Sequence, residues 1–421
     1  HDLLGFDGPV MTDSGTFQMY FHGLPPEEID PLEIVRFQRN IRTDIGTILD
    51  VFSAPDVGRR QVEKDVRVSL ERAAMSVPEK GEMMLAGTVQ GGVYTDLREE
   101  SAKRLAEMDF DVHPVGGVVP LMEQYRYSDV VRVTLAAKRH LPPNRPVHLF
   151  GCGHPMFLAI AAALGCDLFD SASYAKFADD DRMMLTTGTV HLKDLTELPC
   201  DCPVCSSTTA SELKSLSRRK RRVEIMRHNL YVTAAEMRRV RQAIAEGEIL
   251  QLAATRARSH PTLYDALQTL LREVDQVEKS HPVGLTASVF YVGPETVQYP
   301  AYYRLHTRIM STYPYRRTRS LLLVPHLADT PFADTTPNAV ALAKGTSPED
   351  LLVMYITPFG IVPWELEHIH PVQQSVFPVH LDMDTLTLAG ERALELLTAI
   401  EAKDVYWFQS CLLYTSPSPR D

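Results

Sequence analysis

The chain has 421 residues, 44% of them hydrophobic and 23% charged, with a net charge of −11. That composition is ordinary for a soluble protein with room for two or three domains. No stretch reaches the ~18 apolar residues of a membrane span, and the overall acidity excludes a nucleic-acid partner drawn by global charge alone.

Short apolar runs recur along the chain, each ending in a polar or glycine-rich corner: 9–13, 45–50, 84–90, 111–116, 146–151 and 166–170. Between them, Glu27–Arg42 and Arg59–Ser76 carry apolar residues at helical spacing. Asp96–Met108 opens with Asp96 and has Glu99 three positions on, the pattern of a capping box. Ser128–Arg139 and Pro155–Leu164 follow as helices, the latter with proline in its first turn. Alternating strands and helices imply parallel strands with right-handed crossovers, which fits both a doubly wound sheet and a barrel. The polar residues favour the barrel. Asp13, Asp50, Gln90, Gly116, Gly117 and Asp170 all fall at or just past a strand's C-terminal end. A (β/α)8 barrel gathers those ends on one face, whereas an open sheet spreads them along an edge.

The expectation is therefore an α/β fold, a TIM-type (β/α)8 barrel in which six strands are legible and two more would lie upstream of His1. Residues 1–195 read as this N-terminally truncated barrel, and 196–280 as a metal-binding, basic helical subdomain that completes it. Pro261–Val277 reads as one helix. Past it, strand-like runs at Ser288–Val292, Leu321–Pro325 and Leu351–Ile356 suggest a C-terminal α+β domain over 281–410. The segment 411–421 breaks the preceding helical pattern and is read as a non-native or disordered tail, so Cys411 is not weighed as a ligand.

Three of the six cysteines fall in Cys200-Asp201-Cys202-Pro203-Val204-Cys205, with His228 23 positions after Cys205. Three thiolates and an imidazole can wrap one tetrahedral zinc ion, and four protein ligands close its coordination sphere, making the metal structural. Disulfide pairing would leave an odd thiol in the cluster. A reduced thiolate cluster without a visible signal peptide points to the cytoplasm. Around His228 the charge reverses: Lys214–Arg241 holds ten basic residues against Glu224 and Glu236. A solvated helix face explains most charge runs. Here, Arg218, Arg219, Lys220, Arg221 and Arg222 are dense enough that an anionic partner is the better reading.

Two carboxylates at barrel-strand ends are the minimum kit for glycosyl transfer, one attacking the sugar carbon and the other handling protons. Asp13 sits in Asp13-Ser14-Gly15-Thr16-Phe17-Gln18; Asp170 follows Leu168-Phe169, and Asp50 follows Ile48-Leu49. Each alone could equally be a helix N-cap. Together with Gln90-Gly91-Gly92 and Gly116-Gly117 at one rim, they suggest a site.

These motifs, in this order and with CxCxxC…His228, resemble the tRNA-guanine transglycosylase family over roughly residues 1–280. They look most like the archaeal branch, which inserts 7-cyano-7-deazaguanine (preQ0) at a D-loop guanine, position 15 of tRNA, in archaeosine synthesis. Thr16 and Val118 stand where bacterial members usually have glycine and leucine, and those members have a cysteine near Ser53, which favours the archaeal assignment. The resemblance implies that Asp170 is the nucleophile on the ribose and Asp13 the general acid/base. It further implies that Asp50 and Gln90 read the base edge, that Gly116 and Gly117 offer backbone groups, and that Val118 shapes the wall. Ser14 would add a hydrogen bond and Phe17 would stack on the ring. Expected partners are tRNA, a free deazaguanine or guanine base, and a second copy of the chain in a homodimer; no membrane and no cofactor beyond zinc are expected. The rival readings are a non-catalytic tRNA-binding paralogue or partner subunit, and a barrel-type zinc hydrolase. The hydrolase reading suffers because the only H-x-H pair, His368-Ile369-His370, lies far past the barrel.

Overall fold

A computed structural model describes residues 4–23, 29–285, 287–313, 320–325, 351–400 and 404–407. The tail 411–421, with Cys411, lies outside them, as do Glu27 and Glu28 at the start of the first expected helix. The chain divides into two compact units, His1–Ala245 with Leu252–Gln276, and Glu246–Gln251 with Val277–Asp421.

The first unit is mixed α/β and barrel-like. Its parallel strands are β1 (Ile45–Thr47), β2 (Met84–Ala86), β3 (His113–Val115), β4 (Val147–Leu149) and β5 (Leu168–Phe169). Met11 adds a sixth parallel segment through a bridge to Ile45, and Ala86 bridges to Val112, joining β2 to the run that contains β3. Each strand therefore lies beside its predecessor in sequence, Ile45 opposite Met84, His113 opposite Val147, and His148 opposite Leu168. A doubly wound sheet reverses its strand order part-way, and this run does not. The sequential order is the one a barrel requires.

The intervening helices form where the sequence has one apolar face and a defined start. Arg59–Ser76 buries Val62, Val66, Ser69 and Ala73, one stripe at three- and four-residue steps. Pro31 and Pro155 open their helices at the first turn, and Asp30 caps the first of these by accepting from Leu32 N. The expected capping box at Asp96 does not form. That helix runs Thr95–Ala106 with Tyr94 at its N-cap and no side-chain cap. Tertiary ion pairs outcompete the local bonds: Asp96 goes to Arg59 and Glu99 to Arg139. The single helix expected over Pro261–Val277 is two, Pro261–Arg272 and Val274–Glu278. After β5 comes an antiparallel hairpin that the sequence reading missed, β6 (Arg182–Leu185) and β7 (Gly188–His191). Its strand β6 is gripped by the 29-residue helix Arg218–Glu246, whose Asn229 Oδ1 accepts from Met184 N at 2.7 Å.

The second unit is α+β. Its strands are β8 (Val289–Phe290), β9 (Ser320–Pro325), β10 (Leu351–Thr357), β11 (Gly360–Pro363), β12 (Ser375–Val376) and β13 (Asp404–Trp407). The main sheet has the order β11-β10-β9-β13, antiparallel only at the β10–β11 hairpin, and β8 pairs with β12. Helices Pro300–Thr312 and Met383–Ile400 belong to the same unit. Among the described residues, no helix is long and apolar enough to cross a membrane.

Candidate active site

The segments at the C-terminal ends of the parallel strands open onto one cavity of about 1200 Å³. Asp13, Phe17, Asp50, Gln90, Gly116, Gly117 and Asp170 all line it. None of the three aspartates caps a helix; the N-caps that follow them are Gly15, Gly58 and Ala172. At one side Gln90 Nε2 donates to Asp50 Oδ2 at 2.6 Å, with both residues buried. A side chain on Gly116 would collide with this pair, since its Cβ would come 2.5 Å from Gln90 Nε2. Phe17 meets Phe52 edge to face at 5.5 Å. Ser14 is buried and sits off the cavity wall, with its hydroxyl 3.1 Å from that of Thr16. Val118 is also fully buried and off the wall, where its neighbour Val119 stands instead.

The carboxylates face different environments. Asp13 reaches solvent at the cavity, yet desolvation by the protein around it raises its carboxyl above the ordinary value, against hydrogen bonds from the Ser14 and Gly15 backbone, and the charge of Asp170 raises it further. Asp170 is half exposed, and its Oδ1 accepts from Gly151 N at 2.8 Å and lies 3.0 Å from His148 Nε2. Among the described residues Oδ2 takes no hydrogen bond, and the residue lines the cavity. One oxygen held and one free is the arrangement a carboxylate nucleophile needs. A neighbouring carboxyl that keeps its proton to higher pH suits an acid.

Burial likewise raises Asp50, opposed by the hydrogen bond from Gln90. The folded chain then holds this proton more tightly than the unfolded chain does. Stability is therefore lost as pH rises from the ordinary carboxylate value, about 3.9, through the raised one. Asp50→Asn keeps an acceptor for Gln90 and abolishes that loss. Its thermal midpoint near neutral pH should exceed the parent's by about 1–4 °C, with the gap closing near pH 4. A neutral-pH midpoint below the parent's would show that the ionised carboxylate is stabilising.

Cys200, Cys202, Cys205 and His228 come together with their ligand atoms all within 4.8 Å of one another. His228 Nδ1 is 3.2 Å from Cys205 Sγ and 3.4 Å from Cys202 Sγ. Its Nε2 lies 2.9 Å from the Met184 carbonyl, so Nε2 carries the hydrogen and Nδ1 is left as a metal-binding lone pair. The donor set fits a metal ion. The basic residues divide. Arg221 makes two bonds to Asp181, and Arg222 pairs with Asp179. Arg218, Arg219 and Lys220 remain exposed.

The sequence profile of the family described as queuine tRNA-ribosyltransferase matches residues 1–262. The chain belongs to this family. It is 43% identical over 392 residues to the tRNA-guanine(15) transglycosylase of Methanocaldococcus jannaschii, covering 91% of this chain and 58% of that protein. The protein of the same name from Methanothermobacter thermautotrophicus is 42% identical over 388 residues, covering 91% and 58%, and that from Methanosphaera stadtmanae 38% over 397, covering 91% and 58%. The chain thus spans about 58% of the length of these relatives.

Several residues of this family member's cavity escaped the sequence reading. His148 and Phe150 line it from β4 and the turn beyond, with rings 4.6 Å apart. A histidine inside the apolar run Val147-His148-Leu149 was the available signal. Tyr125 stacks on His260 at 5.1 Å on the cavity wall, with Tyr125 in the left-handed region at φ 58°. Nothing local announces that pairing across 135 positions. The hairpin residues Arg182, Thr187, Gly188 and Thr189 also reach the wall.

Proposed function

We propose that this chain carries the catalytic part of a tRNA-guanine(15) transglycosylase, a pentosyltransferase that exchanges a D-loop guanine of tRNA for 7-cyano-7-deazaguanine. The observation that carries the reading is Asp13 and Asp170 on one cavity, with the Asp50–Gln90 pair beside them. The cavity exceeds the ~300–1,000 Å³ usual for a small ligand, which suits a nucleotide swung out of its stack with its flanking backbone.

In the first half-reaction Asp170 Oδ2 attacks the ribose C1′ and the bond from C1′ to the guanine nitrogen breaks. Gly151 N–H and His148 hold the other oxygen so that the free one points at the sugar. Asp13 delivers its proton to the departing base, and its raised pKa keeps that proton available. The incoming base then loses a proton to Asp13 and attacks C1′, and Asp170 leaves as carboxylate. Asp50, Gln90 and the Gly116–Gly117 backbone match polar edges of a purine-like ring, where each unpaired buried group would cost about 1–3 kcal/mol. Phe17 and Phe150 offer apolar faces to the ring. Ser14 and Val118 then act from behind the wall, bracing Thr16 and Val119.

The fold reading is a (β/α)8 barrel of which six parallel segments are described. The Cys200, Cys202, Cys205 and His228 set would hold one structural zinc, closing the subdomain over 196–280 onto the barrel, with 281–410 as a further RNA-binding domain. A homodimer in the cytoplasm completes the proposal. The test is exchange of radiolabelled guanine into tRNA. Label entering tRNA with time supports it, and tRNA binding without exchange would make the chain a non-catalytic relative.

Exposed Arg218, Arg219 and Lys220 are the better candidates for the tRNA backbone, because Arg221 and Arg222 already hold Asp181 and Asp179. Replacing the exposed three by glutamate should weaken tRNA binding at least ~10-fold and reduce the salt dependence by about one unit per lost contact. An unchanged salt slope would mark these three as plain surface.

A further inference from the structure

We infer that Arg98, which is fully buried and does not line this cavity, is the positioning residue that sets the base-reading wall. This rests on the transglycosylase reading and deepens it. Arg98 sits on the helix Thr95–Ala106 with no exposed surface. Burying a cation is expensive unless its hydrogen-bonding capacity is met. Arg98 meets most of it with carbonyl oxygens: Nε donates to Gly92 O at 3.0 Å, and Nη1 to Val89 O and Gly116 O, both at 2.8 Å. The first and second of these belong to the turn after β2, which carries Gln90. The third belongs to the turn after β3, which carries Gly116 and Gly117. One planar guanidinium therefore ties together the two turns that present the base-reading groups. An ammonium, a compact point donor, cannot span that geometry.

The remaining nitrogen adds a second constraint. Arg98 Nη2 is buried without a partner, and so is Gln90 Oε1. Both lie against Gly117: a Cβ built there would sit 3.2 Å from each. Gln90 has its amide nitrogen on the carboxylate of Asp50, and its oxygen and the Arg98 cation share the surroundings of Gly117. The two ends of an amide are alike in shape, so only such neighbours fix which way it points. With Asp50 on one side and Arg98 on the other, Gln90 has one favourable orientation. Burial draws the Arg98 pKa down to about 10, which leaves it charged at neutral pH. The catalytic carboxylates hang on other segments, Asp13 after the Met11 bridge and Asp170 after β5. Disturbing Arg98 should loosen base recognition and spare the chemistry.

The test is steady-state exchange by the full-length enzyme, purified with its metal, with tRNA and free guanine varied separately. Arg98→Lys should raise KM for guanine about 10-fold or more while KM for tRNA and kcat stay within about twofold. A merely structural role would instead lower kcat through a smaller active fraction and leave both KM values alone, and that result overturns the inference. If the variant does not fold, hydrogen exchange on the wild type asks the same question. Added guanine should slow exchange in residues 89–92 and 116–117 together, whereas protection of only one turn would overturn the coupling. A wild type that never exchanges guanine rejects the transglycosylase reading itself, and that outcome is seen before Arg98 is changed.

Discussion

Asp170→Asn is expected to abolish guanine exchange, by about four orders of magnitude or more, while leaving thermal stability close to the parent's. The asymmetry follows from how the carboxylate is held. Both hydrogen bonds fall on Oδ1, from Gly151 N and His148. Asparagine keeps a carbonyl oxygen for those two partners. What changes is the other atom, where an amide nitrogen without a nucleophilic lone pair replaces the free Oδ2. The covalent RNA adduct should vanish from denaturing gels, and the melting curve should overlay the wild type. Asp13→Asn should behave differently, because its nucleophile is intact. An adduct that persists in Asp170→Asn and disappears in Asp13→Asn would exchange the two roles. The environments argue against that exchange: both side chains reach solvent, but desolvation by the surrounding protein and the charge of Asp170 raise the proton affinity of Asp13, while Asp170 has one oxygen held by Gly151 N and His148 and the other without a hydrogen bond.

Much of this site could be read from the chain because its residues follow short apolar strands. The side-chain period of a buried strand and the polar corner after it are local features, so Asp13, Asp50, Gln90, Gly116, Gly117 and Asp170 could be picked out together. What escaped depends on partners far away in sequence. Asp96 and Glu99 have the spacing of a capping box, yet Arg59 and Arg139 claim them from 37 and 40 positions away. The hairpin of β6 and β7 has no strong turn signal; β6 exchanges hydrogen bonds with a helix about 45 positions on. The basic run looked unopposed because Asp179 and Asp181, which neutralise Arg222 and Arg221, lie some 40 residues earlier. Arg98 is the sharpest case. A lone arginine in a helical stretch reads as surface, and only the arrival of three carbonyls from two separate turns makes it core.

Removing the zinc proposed for Cys200, Cys202, Cys205 and His228 should cost the molecule more than a loose loop. Burial and the adjacent Cys202 push the Cys205 thiol well above its ordinary value, so three thiolates this close need a compensating cation. The core around them is small: Ala178, Met183, Leu192, Cys205, Leu213 and Ile225. So little apolar burial cannot hold a subdomain without a staple. Structural zinc typically supplies about 10–16 kcal/mol of apparent binding free energy, which in such a unit is folding free energy. The consequence reaches the cavity through His228. One ring nitrogen faces the thiols and the other holds the Met184 carbonyl, while the next residue, Asn229, holds the Met184 amide. Met184 lies in β6, whose hairpin supplies Arg182, Thr187, Gly188 and Thr189 to the cavity wall. Chelation, or Cys205→Ser, should therefore lower the melting temperature by about 10 °C or more. It should also open residues 196–217 to protease and depress exchange although every catalytic side chain is present. Metal content measured alongside makes the result decisive. A protein stripped of its metal that melts and exchanges guanine like the parent would show that the four side chains meet for packing alone.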